Sequence, residues 1–393
     1  MTRTVETLVV GAGPAGCAAA ITLASAGREV LLVDRARFPR DKTCGDGLTT
    51  LALRELEALG LPVERVRSWQ AVRTIWLHSP TARTITLELP ADGLRSVIVP
   101  RLELDATLVD LARNSGAEVA EGIDVLSPRQ SAVGFEAQTE TFGTLRAGNV
   151  IAADGIYSPL RRHLGGETAP YRGDWHAFRQ YFANVGEAAQ AGVHVLFEPD
   201  LLPGFIWSFP LAGRRANVGF GVLLGGAHRV GDMGPLWRTL QQRPRFRALL
   251  GTDATADGPL RAWPIPARVG TVPLQLGAVR FVGDAAATTD PLTGEGIGQA
   301  LLSGRLAAEA IVNGTEYERT LRRELARDHA MSLGLRRLIT NPVLLSSLLR
   351  LVDANEWTRR NYARWLFEDY PRAQLLTPKR WRRGVLSRSG AFA

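Results

Sequence analysis

The stretch VETLVVGAGPAGCAAAITLASAGREVLLVD, residues 5–34, decides the fold of this 393-residue chain. The apolar run 7–10 predicts a strand, a glycine-rich turn follows at 11–16, and the small apolar residues 17–26 predict a helix that packs closely on a sheet. Residues 29–33 predict the next strand. A strand, a tight turn, a helix and a second strand in this order indicate an α/β domain with a parallel sheet.

The turn GAGPAG fits the pattern G-x-G-x-x-G in the position that its chemistry requires, after a strand and before a helix. Gly11 permits the tight turn, Gly13 lets the backbone approach a pyrophosphate, and Gly16 lets the helix pack against the strand. Asp34, at the end of the second strand, is placed to accept hydrogen bonds from ribose hydroxyls and to repel a 2′-phosphate. The motif therefore disfavours NADP and leaves NAD and FAD open.

Two later stretches favour FAD. IAADGIYSPLRR, residues 151–162, and FVGDAAATTDPLTGEGIGQALLSG, residues 281–304, each follow a buried strand and carry an aspartate next to a glycine. Asp284 is placed to accept hydrogen bonds from a polyol such as a ribityl chain. Backbone N–H groups at 294–298, where a helix begins, suit the N1–C2=O edge of a flavin, which becomes negative on reduction.

Together these stretches resemble the FAD-binding set of the para-hydroxybenzoate-hydroxylase-type flavoproteins, where a glycine-rich turn, a mid-chain Asp-Gly and a late Gly-Asp recur in this order. The resemblance also assigns Arg101, in RLELDATLVD, to the neighbourhood of the flavin's linker. It implies FAD as the cofactor. The residues predicted to bind FAD are Gly11, Gly13, Pro14, Ala15, Gly16, Asp34, Arg35, Cys44, Gly45, Arg101, Asp154, Gly155, Gly283, Asp284, Pro291, Gly294, Gly296 and Ile297.

Two further stretches resemble the geranylgeranyl reductase branch of that family. DKTCGDGLT, residues 41–49, is similar to its cysteine-glycine segment. FIWSFPLAGRRANVGFG, residues 205–221, is similar to its aromatic signature, with Phe205 where tyrosine is usual. The positions that match this signature are Trp207, Phe209, Pro210, Gly219 and Gly221.

Other branches fit less well. Ala287 stands where the aromatic hydroxylases usually carry a histidine after Gly-Asp-Ala-Ala. The segment PLTGEGI, residues 291–297, also resembles the flavin-dependent halogenases, but their Trp-rich signature is missing. The resemblance is closest to the actinobacterial members that reduce the side chain of menaquinone.

The resemblance implies an oxidoreductase that saturates carbon–carbon double bonds of an isoprenoid, a prenyl lipid or a prenylated quinone, by hydride transfer from reduced flavin. Aromatic faces would stabilise positive charge on the alkene and exclude water. Cys44 and Asp46 are the candidate proton donors, with a packed small residue and a turn residue as their structural alternatives. The predicted catalytic residues are Cys44, Asp46, Trp207 and Phe209, and the predicted substrate-binding residues are Phe205, Trp207, Phe209, Gly219 and Gly221.

Two other functions remain open at this stage. The same scaffold suits an FAD-dependent monooxygenase that hydroxylates an aromatic or polyketide-like small molecule. A flavin-binding protein without enzymatic activity is the third alternative. Oxygen consumption coupled to substrate would favour the monooxygenase, whereas anaerobic turnover would favour the reductase.

Helical and strand patterns interleave along the chain, which predicts the α/β class, with a nucleotide-binding domain and an inserted sheet domain. The resemblance implies that the first of these is a Rossmann-like FAD-binding domain. The predicted boundaries are 1–70, 100–165 and 275–315 for the FAD-binding domain, 71–99 and 166–274 for the antiparallel-sheet substrate domain, and 316–393 for a helical C-terminal region with a basic tail. Inside the sheet domain, one helix is predicted near 233–250.

The composition excludes several classes of protein. Hydrophobic residues make up 45% and charged residues 22% of the chain, which is ordinary for a globular protein and excludes a disordered one. Two cysteines, Cys17 and Cys44, exclude a disulfide scaffold and favour the reducing cytosol. Because no long uncharged apolar run and no secretion leader occur, a cytoplasmic protein is expected.

The net charge of +8 is concentrated in residues 371–393, which contribute +6 and leave +2 for the rest. Such a tail is either a solvated end or a peripheral contact with the anionic inner face of a membrane. Residues 342–352 carry leucines at helical spacing, so this predicted helix either packs in the protein core or contacts a membrane. No nucleic-acid motif accompanies the charge, so nucleic acid is not an expected partner. The basic residues of the tail are Arg372, Lys379, Arg380, Arg382, Arg383 and Arg388.

The remaining partners are a hydrophobic substrate and an external reductant. No second G-x-G-x-x-G follows a strand, so a dedicated NAD(P)H domain is not expected. NAD(P)H or a small redox protein would therefore bind transiently. The six histidines are scattered without metal-ligand spacing, so no metal is expected.

Overall fold

The computed structural model of the chain describes residues 2–89, 96–131, 134–165, 171–369 and 372–373. Its strands, in chain order, are β1 (Thr2–Val10), β2 (Val30–Asp34), β3 (Gly47–Leu48), β4 (Gln70–Ala71), β5 (Thr74–His78), β6 (Thr84–Glu88), β7 (Val97–Ile98), β8 (Glu118–Glu121), β9 (Leu126–Ser131), β10 (Gly134–Thr139), β11 (Gly143–Ala152), β12 (Trp175–Ala183), β13 (Val193–Leu196), β14 (Ile206–Leu211), β15 (Arg215–Leu223), β16 (Thr255–Ala256), β17 (Arg261–Ile265), β18 (Gln275–Leu276) and β19 (Val279–Phe281). Its helices are α1 (Pro14–Ser25), α2 (Thr50–Ala58), α3 (Arg101–Asn114), α4 (Pro159–Gly165), α5 (Glu187–Ala191), α6 (Met233–Gln242), α7 (Pro244–Leu250), α8 (Ile297–Asn313), α9 (Tyr317–Leu338), α10 (Pro342–Val352) and α11 (Glu356–Leu366).

A parallel sheet carries the glycine-rich turn. Strands β19, β11, β1, β2 and β8 lie side by side in this order and all run parallel, while β18, β10 and β9 extend the sheet antiparallel. Helices α1 and α8 cross so closely that a Cβ on Gly304 would lie 2.0 Å from the Ala15 carbonyl oxygen. The carboxyl ends of β1, β11 and β19 therefore meet the beginnings of both helices at one edge, where ligands bind in such sheets.

A second, mostly antiparallel sheet faces that edge. Its order is β16-β12-β15-β14-β13-β5-β6, with β17 paired to β12 and with β13 and β5 parallel. These two sheets and the C-terminal helices confirm the predicted α/β class with its additional antiparallel sheet. The helix expected near 233–250 is two helices, because Pro244 has no N–H to continue the first one.

The C-terminal helices pack on the second sheet. Leu345, Leu349 and Phe367 are buried in one core with Ile75 and Ile85. One face of α10 therefore belongs to the protein core. Core packing was one of the two alternatives for residues 342–352, and membrane contact was the other.

The end of the described chain returns to the first sheet's edge. The N–H of Thr50 donates to the carbonyl of Phe367 over 2.9 Å. Arg372, expected in a basic tail, is instead buried, 2% exposed, with its guanidinium 3.5 Å from both Asp290 and Glu368. The other basic residues of the predicted tail, Lys379, Arg380, Arg382, Arg383 and Arg388, lie outside the described residues.

Candidate active site

A cavity of about 540 Å³ lies between the edge of the parallel sheet and the face of the second sheet. Most of the residues predicted from sequence line it, although they come from distant parts of the chain. They are Gly11, Gly13, Pro14, Ala15, Asp34, Arg35, Cys44, Gly45, Arg101, Asp154, Gly155, Phe205, Trp207, Phe209, Gly221, Gly283, Asp284, Gly294, Gly296 and Ile297. We call the part around 11–16, Asp34, Asp154 and Asp284 the cofactor wall, and the part around 44–47, Phe205, Trp207 and Phe209 the aromatic wall.

Four predicted residues lie behind the cavity surface rather than on it. A Cβ on Gly16 would stand 1.7 Å from the Gly11 carbonyl oxygen, so Gly16 serves the packing of helix on turn. Gly219 backs Trp207, since a Cβ there would lie 2.3 Å from Cζ2 of the indole. The Pro291 carbonyl accepts a hydrogen bond from the indole of Trp175. The fourth residue, Asp46, belongs to a buried network described below.

The glycine-rich turn leaves room for a diphosphate. Gly11 has a φ of +103°, and a Cβ there would collide with the Ala153 carbonyl oxygen at 2.2 Å. At Gly13 the nearest atom to such a Cβ is Nη2 of Arg40 at 3.8 Å, so this backbone is open to the cavity. Gly13 is the N-cap of α1, and no side chain of the described residues caps the helix. Its first-turn N–H groups are therefore oriented for an anionic ligand.

Asp34 and Asp154 are carboxylates on the cofactor wall. Asp34 accepts the N–H of Ala12 at 2.6 Å and that of Ala36 at 2.7 Å, which fixes its side chain at the cavity. In Asp154, one oxygen accepts the N–H of Leu160 at 3.1 Å, while the other is buried without a partner among the described residues. Burial raises the pKa of Asp154 to about 6. An unpaired buried oxygen beside an open backbone turn fits a polar cofactor better than an empty structural turn does.

Asp284 also lies on the cofactor wall and has a cationic partner. Nζ of Lys42 is 3.1 Å from its carboxylate and 5.2 Å from the ring centre of Trp263. Lys42 was missed at the sequence level, although it stands inside the cysteine-glycine segment. Its charge at the polyol acceptor adds electrostatic attraction for a diphosphate-containing cofactor.

Arg101 and Cys44 adjoin each other between the two walls. The buried guanidinium of Arg101 binds Asp105 through two hydrogen bonds of 2.7 and 2.6 Å and lies close to the Cys44 side chain. Arg40 is 2.9 Å from the same Asp105 carboxylate. Burial raises the pKa of the half-buried Cys44 thiol, so it is protonated at neutral pH.

Asp46 is fully buried behind the aromatic wall. Its carboxylate accepts the hydroxyl of Tyr181 and the amide of Asn217, both at 2.8 Å. The same Asn217 amide donates to the Cys44 carbonyl, and its oxygen accepts the Trp207 indole N–H at 3.0 Å. Burial raises the pKa of Asp46 to about 6. The structure does not place Asp46 on the cavity, so its position supports a positioning role better than the predicted role of direct proton donor.

The aromatic wall consists of three rings packed against two glycines. Neighbouring ring centres are 6.4 Å apart for Phe205 and Trp207, and 6.5 Å apart for Trp207 and Phe209. A Cβ on Gly45 or Gly47 would lie 3.3 or 3.1 Å from the Phe209 ring. The cysteine-glycine segment and the aromatic signature, about 160 residues apart, therefore form one surface.

The described residues lack two other kinds of feature. They contain no group of three or more His, Cys, Asp or Glu side chains placed to hold a metal ion. Within the same part of the chain, no helix has the length and apolarity needed to cross a membrane.

Comparison with known proteins places these features in a family. The sequence family described as FAD binding domain matches residues 4–303. A menaquinone reductase of Mycolicibacterium smegmatis is 35% identical over 374 residues, covering 88% of this chain and 87% of that protein. Digeranylgeranylglycerophospholipid reductase 2 of Methanopyrus kandleri is 32% identical over 332 residues, covering 80% and 78%.

A solved structure shares the fold across nearly the whole chain. The geranylgeranyl bacteriochlorophyll reductase-like protein of Thermoplasma acidophilum superimposes with a TM-score of 0.79 at 23% identity, covering 97% of this chain and 100% of that one.

Proposed function

This chain belongs to the FAD-binding domain family and is an FAD-dependent oxidoreductase, and from that premise we propose that it saturates carbon–carbon double bonds of an isoprenoid. FAD, when bound and reduced, supplies hydride to such a bond. The observation that carries the proposal is the continuity of one cavity from Gly13 on the cofactor wall to Trp207 on the aromatic wall. A cofactor held at the first wall has an apolar, aromatic space beside it.

The cofactor wall supplies the groups that would hold FAD. The open backbone at Gly13 and the N-terminus of α1 suit its diphosphate, and Asp34 suits its ribose. Asp284 with Lys42 suits the ribityl chain. Helix α8 begins without a side-chain cap among the described residues, so its first N–H groups suit the pyrimidine edge of the flavin.

The aromatic wall supplies the environment of the alkene. Phe205, Trp207 and Phe209 present ring faces and edges to the cavity and exclude water. An isolated alkene is a poor hydride acceptor, and ring faces stabilise positive charge that develops on it. Prenylated quinone is the substrate class that we propose first, because the relative at 35% identity is named a menaquinone reductase.

Anaerobic incubation tests this function directly. The holoenzyme, dithionite and menaquinone should yield, once the quinol head group has been reoxidised in air, a quinone that has gained one molecule of hydrogen per side-chain bond reduced, as read by mass spectrometry. Oxygen consumption coupled to an aromatic compound, with no anaerobic product, would favour a monooxygenase instead. The Asp284→Ala variant should retain FAD much less well than Cys44→Ala, since Asp284 faces the polyol position.

We also propose that the protein meets its lipid substrate at a membrane surface. Large apolar side chains are exposed together at the C-terminal helices, with Val343 69% and Leu351 67% exposed. We call this group the apolar patch; its members are Leu338, Val343, Leu344, Leu351 and Trp357. Exposed Arg337 and Arg350 flank it, which suits an anionic bilayer.

Vesicle sedimentation separates the patch from the predicted tail. The double variant Leu344→Ser, Leu351→Ser should lower binding to vesicles of anionic phospholipid about tenfold. Truncation after residue 373 keeps the buried Arg372 and tests the basic residues beyond it. If neither change alters sedimentation, the protein does not use this surface.

A further inference from the structure

Glu295 is a carboxyl group at the cavity that the sequence analysis left unassigned. It lies between Gly294 and Gly296, just before α8, and its half-buried side chain lines the cavity. Asp34 and Asp284 on the cofactor wall are held by hydrogen bonds or an ion pair. Within the described residues, no hydrogen bond or ion pair holds the Glu295 carboxyl, so its proton is not committed to a neighbour.

The charged groups around Glu295 come from three segments. Glu368 and Arg372 come from the C-terminal segment and Asp290 from its own loop, while the neutral thiol of Cys44 comes from the cysteine-glycine segment. Arg372 is the cation in this group and is divided between the carboxylates of Asp290 and Glu368, 3.5 Å from each. Burial, and after it the charge of Glu368, raises the pKa of Glu295 to about 8. Glu295 therefore carries a proton at neutral pH.

A second cavity of about 510 Å³ lies on the other side of the same loop. Its lining is rich in charged side chains, with Asp290, Glu368 and Arg372 at the side nearest Glu295 and Glu324 and Asp328 beyond. A cavity with such a lining is suited to hold water. Asp290, Glu368 and Arg372, which line this second cavity, are also the charged neighbours of Glu295.

Glu368 is held in place in the lining of the second cavity. Its carboxylate accepts the hydroxyl of Thr49 at 2.9 Å and the side-chain amide of Gln299 at 2.6 Å. Glu295 in the lining of the first cavity and Glu368 in the lining of the second are therefore neighbouring carboxyl groups, one in each cavity.

We propose that Glu295 is the acid that supplies the proton in the reduction, and that protons return to it from the second cavity past Glu368. This inference rests on the proposed function. One alkene carbon receives a hydride with its electron pair from the reduced cofactor, and the other takes the proton as the O–H bond of Glu295 breaks. Glu295 becomes a carboxylate and recovers a proton from water. An external reductant, NAD(P)H or a reduced small redox protein, replaces the two electrons.

The placement of the other candidates supports this choice. Asp46 does not reach the cavity, and both of its oxygens already accept hydrogen bonds. The Cys44 thiol reaches the cavity but is a weaker acid than a carboxyl group, and burial raises its pKa further. Glu295 combines access to the cavity with an uncommitted proton.

A single-turnover experiment with Glu295→Gln tests the proposal. The holoenzyme is reduced with one equivalent of dithionite, mixed anaerobically with menaquinol, whose reduced head group takes no further electrons, and followed by flavin absorbance between about pH 6 and pH 10. The wild-type rate should fall as the pH rises through about 8, since Glu295 then loses its proton. The neutral glutamine should slow this step about 100-fold at pH 7. It should also remove the fall in rate with rising pH, which we call the pH limb, while FAD retention and reduction by dithionite stay unchanged.

Two matched variants separate a proton donor from a structural residue. Glu368→Gln removes a negative neighbour, so the pKa of Glu295 should fall and the limb should move to lower pH. Cys44→Ser should keep the limb where it is. A limb that persists in Glu295→Gln, or moves with Cys44→Ser instead, would overturn the assignment.

Infrared difference spectra give a readout without turnover. Between pH 7 and pH 9.5 the oxidised holoenzyme should lose a protonated-carboxyl band that is absent from Glu295→Gln. The absence of that band in the wild type contradicts the inference. A wild-type enzyme that shows the band but reduces no isoprenoid refutes the proposed function, and the donor role with it. A wild-type enzyme and a Glu295→Gln variant that are equally active refute only the role of Glu295.

Discussion

The two walls of the cavity are stabilised in different ways. The cofactor wall depends on close backbone contacts, such as Gly11 against the Ala153 carbonyl and Gly16 against the Gly11 carbonyl. The aromatic wall depends on side-chain hydrogen bonds, in which Asn217 joins Trp207, Cys44 and Asp46. Close backbone contacts like those of the cofactor wall leave no room for a Cβ atom. These positions must therefore be glycine, and glycines can be recognised in the sequence. A side-chain network leaves no comparable pattern.

The largest effect is expected from Gly16→Ala on the cofactor wall. Its Cβ would lie 1.7 Å from a backbone oxygen that cannot move independently, so we expect a loss of about 4 kcal/mol or more in the free energy of unfolding. Gly13→Ala is the matched control, since the space beside it is open. It should cost the apoprotein about 1 kcal/mol yet weaken FAD binding at least about tenfold.

Denaturant unfolding of the apoprotein and flavin titration measure both effects. Equal losses of stability in Gly16→Ala and Gly13→Ala would show that backbone contact does not distinguish the two positions. Unchanged FAD binding in Gly13→Ala would remove the proposed diphosphate site.

A smaller effect is expected from Asn217→Ala on the aromatic wall. The change leaves the Trp207 indole N–H, the Cys44 carbonyl and the Asp46 carboxylate each without one partner in a buried site. We expect a loss of about 3 kcal/mol and slower reduction of substrate, with FAD still bound. Arg215→Ala on the same strand removes an exposed ion pair with Asp257 and a cation–π contact of 5.5 Å with the Tyr181 ring, and should cost about 1 kcal/mol. Loss of FAD from Asn217→Ala would mean that the two walls are not independent.

The pH dependence of stability isolates the buried carboxyl group of this network. The pKa of Asp46 is about 6 in the folded protein and near 3.8 when exposed, so the folded state binds this proton more tightly. Its contribution is complete below about pH 4 and is lost as the pH rises through about 6. Relative to Asp46→Asn, wild-type apoprotein should therefore lose on the order of 2–3 kcal/mol over that interval.

Urea unfolding at a series of pH values provides this comparison. Asp257→Asn, a neutral substitution at an exposed position, is the control. Parallel curves for wild type and Asp46→Asn would show that Asp46 does not titrate in this interval.

The smallest effect is expected from Phe205→Tyr. Phe205 lines the cavity and packs edge-on against Trp207 and Phe197, contacts that tyrosine retains. The added hydroxyl should change single-turnover rates less than about threefold, which corresponds to roughly 0.6 kcal/mol. A change of about 100-fold would show that the hydroxyl absent here is part of the aromatic wall's chemistry in this fold.

The sequence predicted the cofactor wall in more detail than the aromatic wall. Gly11, Gly13 and Asp284 follow strands whose carboxyl ends must meet at one edge, so their convergence follows from topology. The aromatic residues were predicted by resemblance, but Asn217 was not, because its contacts depend on strand register. It pairs with Phe209 across β14 and β15, a register that the sequence does not specify.

Longer-range packing explains the other omissions. Glu295 stood inside a quoted motif, yet its surroundings come from Glu368 and Arg372, more than 70 residues later. Arg372 was predicted in a basic tail because its neighbours in sequence are basic. Its burial against Asp290 reflects tertiary contacts that composition does not encode.

Residues 367–369, 372 and 373 determine when, during folding, the site is completed. They bind Thr49 and Thr50, and they bring Glu368 and Arg372 beneath the loop that precedes α8. A nascent chain that has emerged only as far as α8 already carries every residue of the glycine-rich turn, but not the partners that fix this loop. The surroundings of this loop are therefore complete only once residues 368 and 372 have joined the fold, and we expect a protease cut placed before residue 372 to weaken FAD retention even though each signature motif is intact.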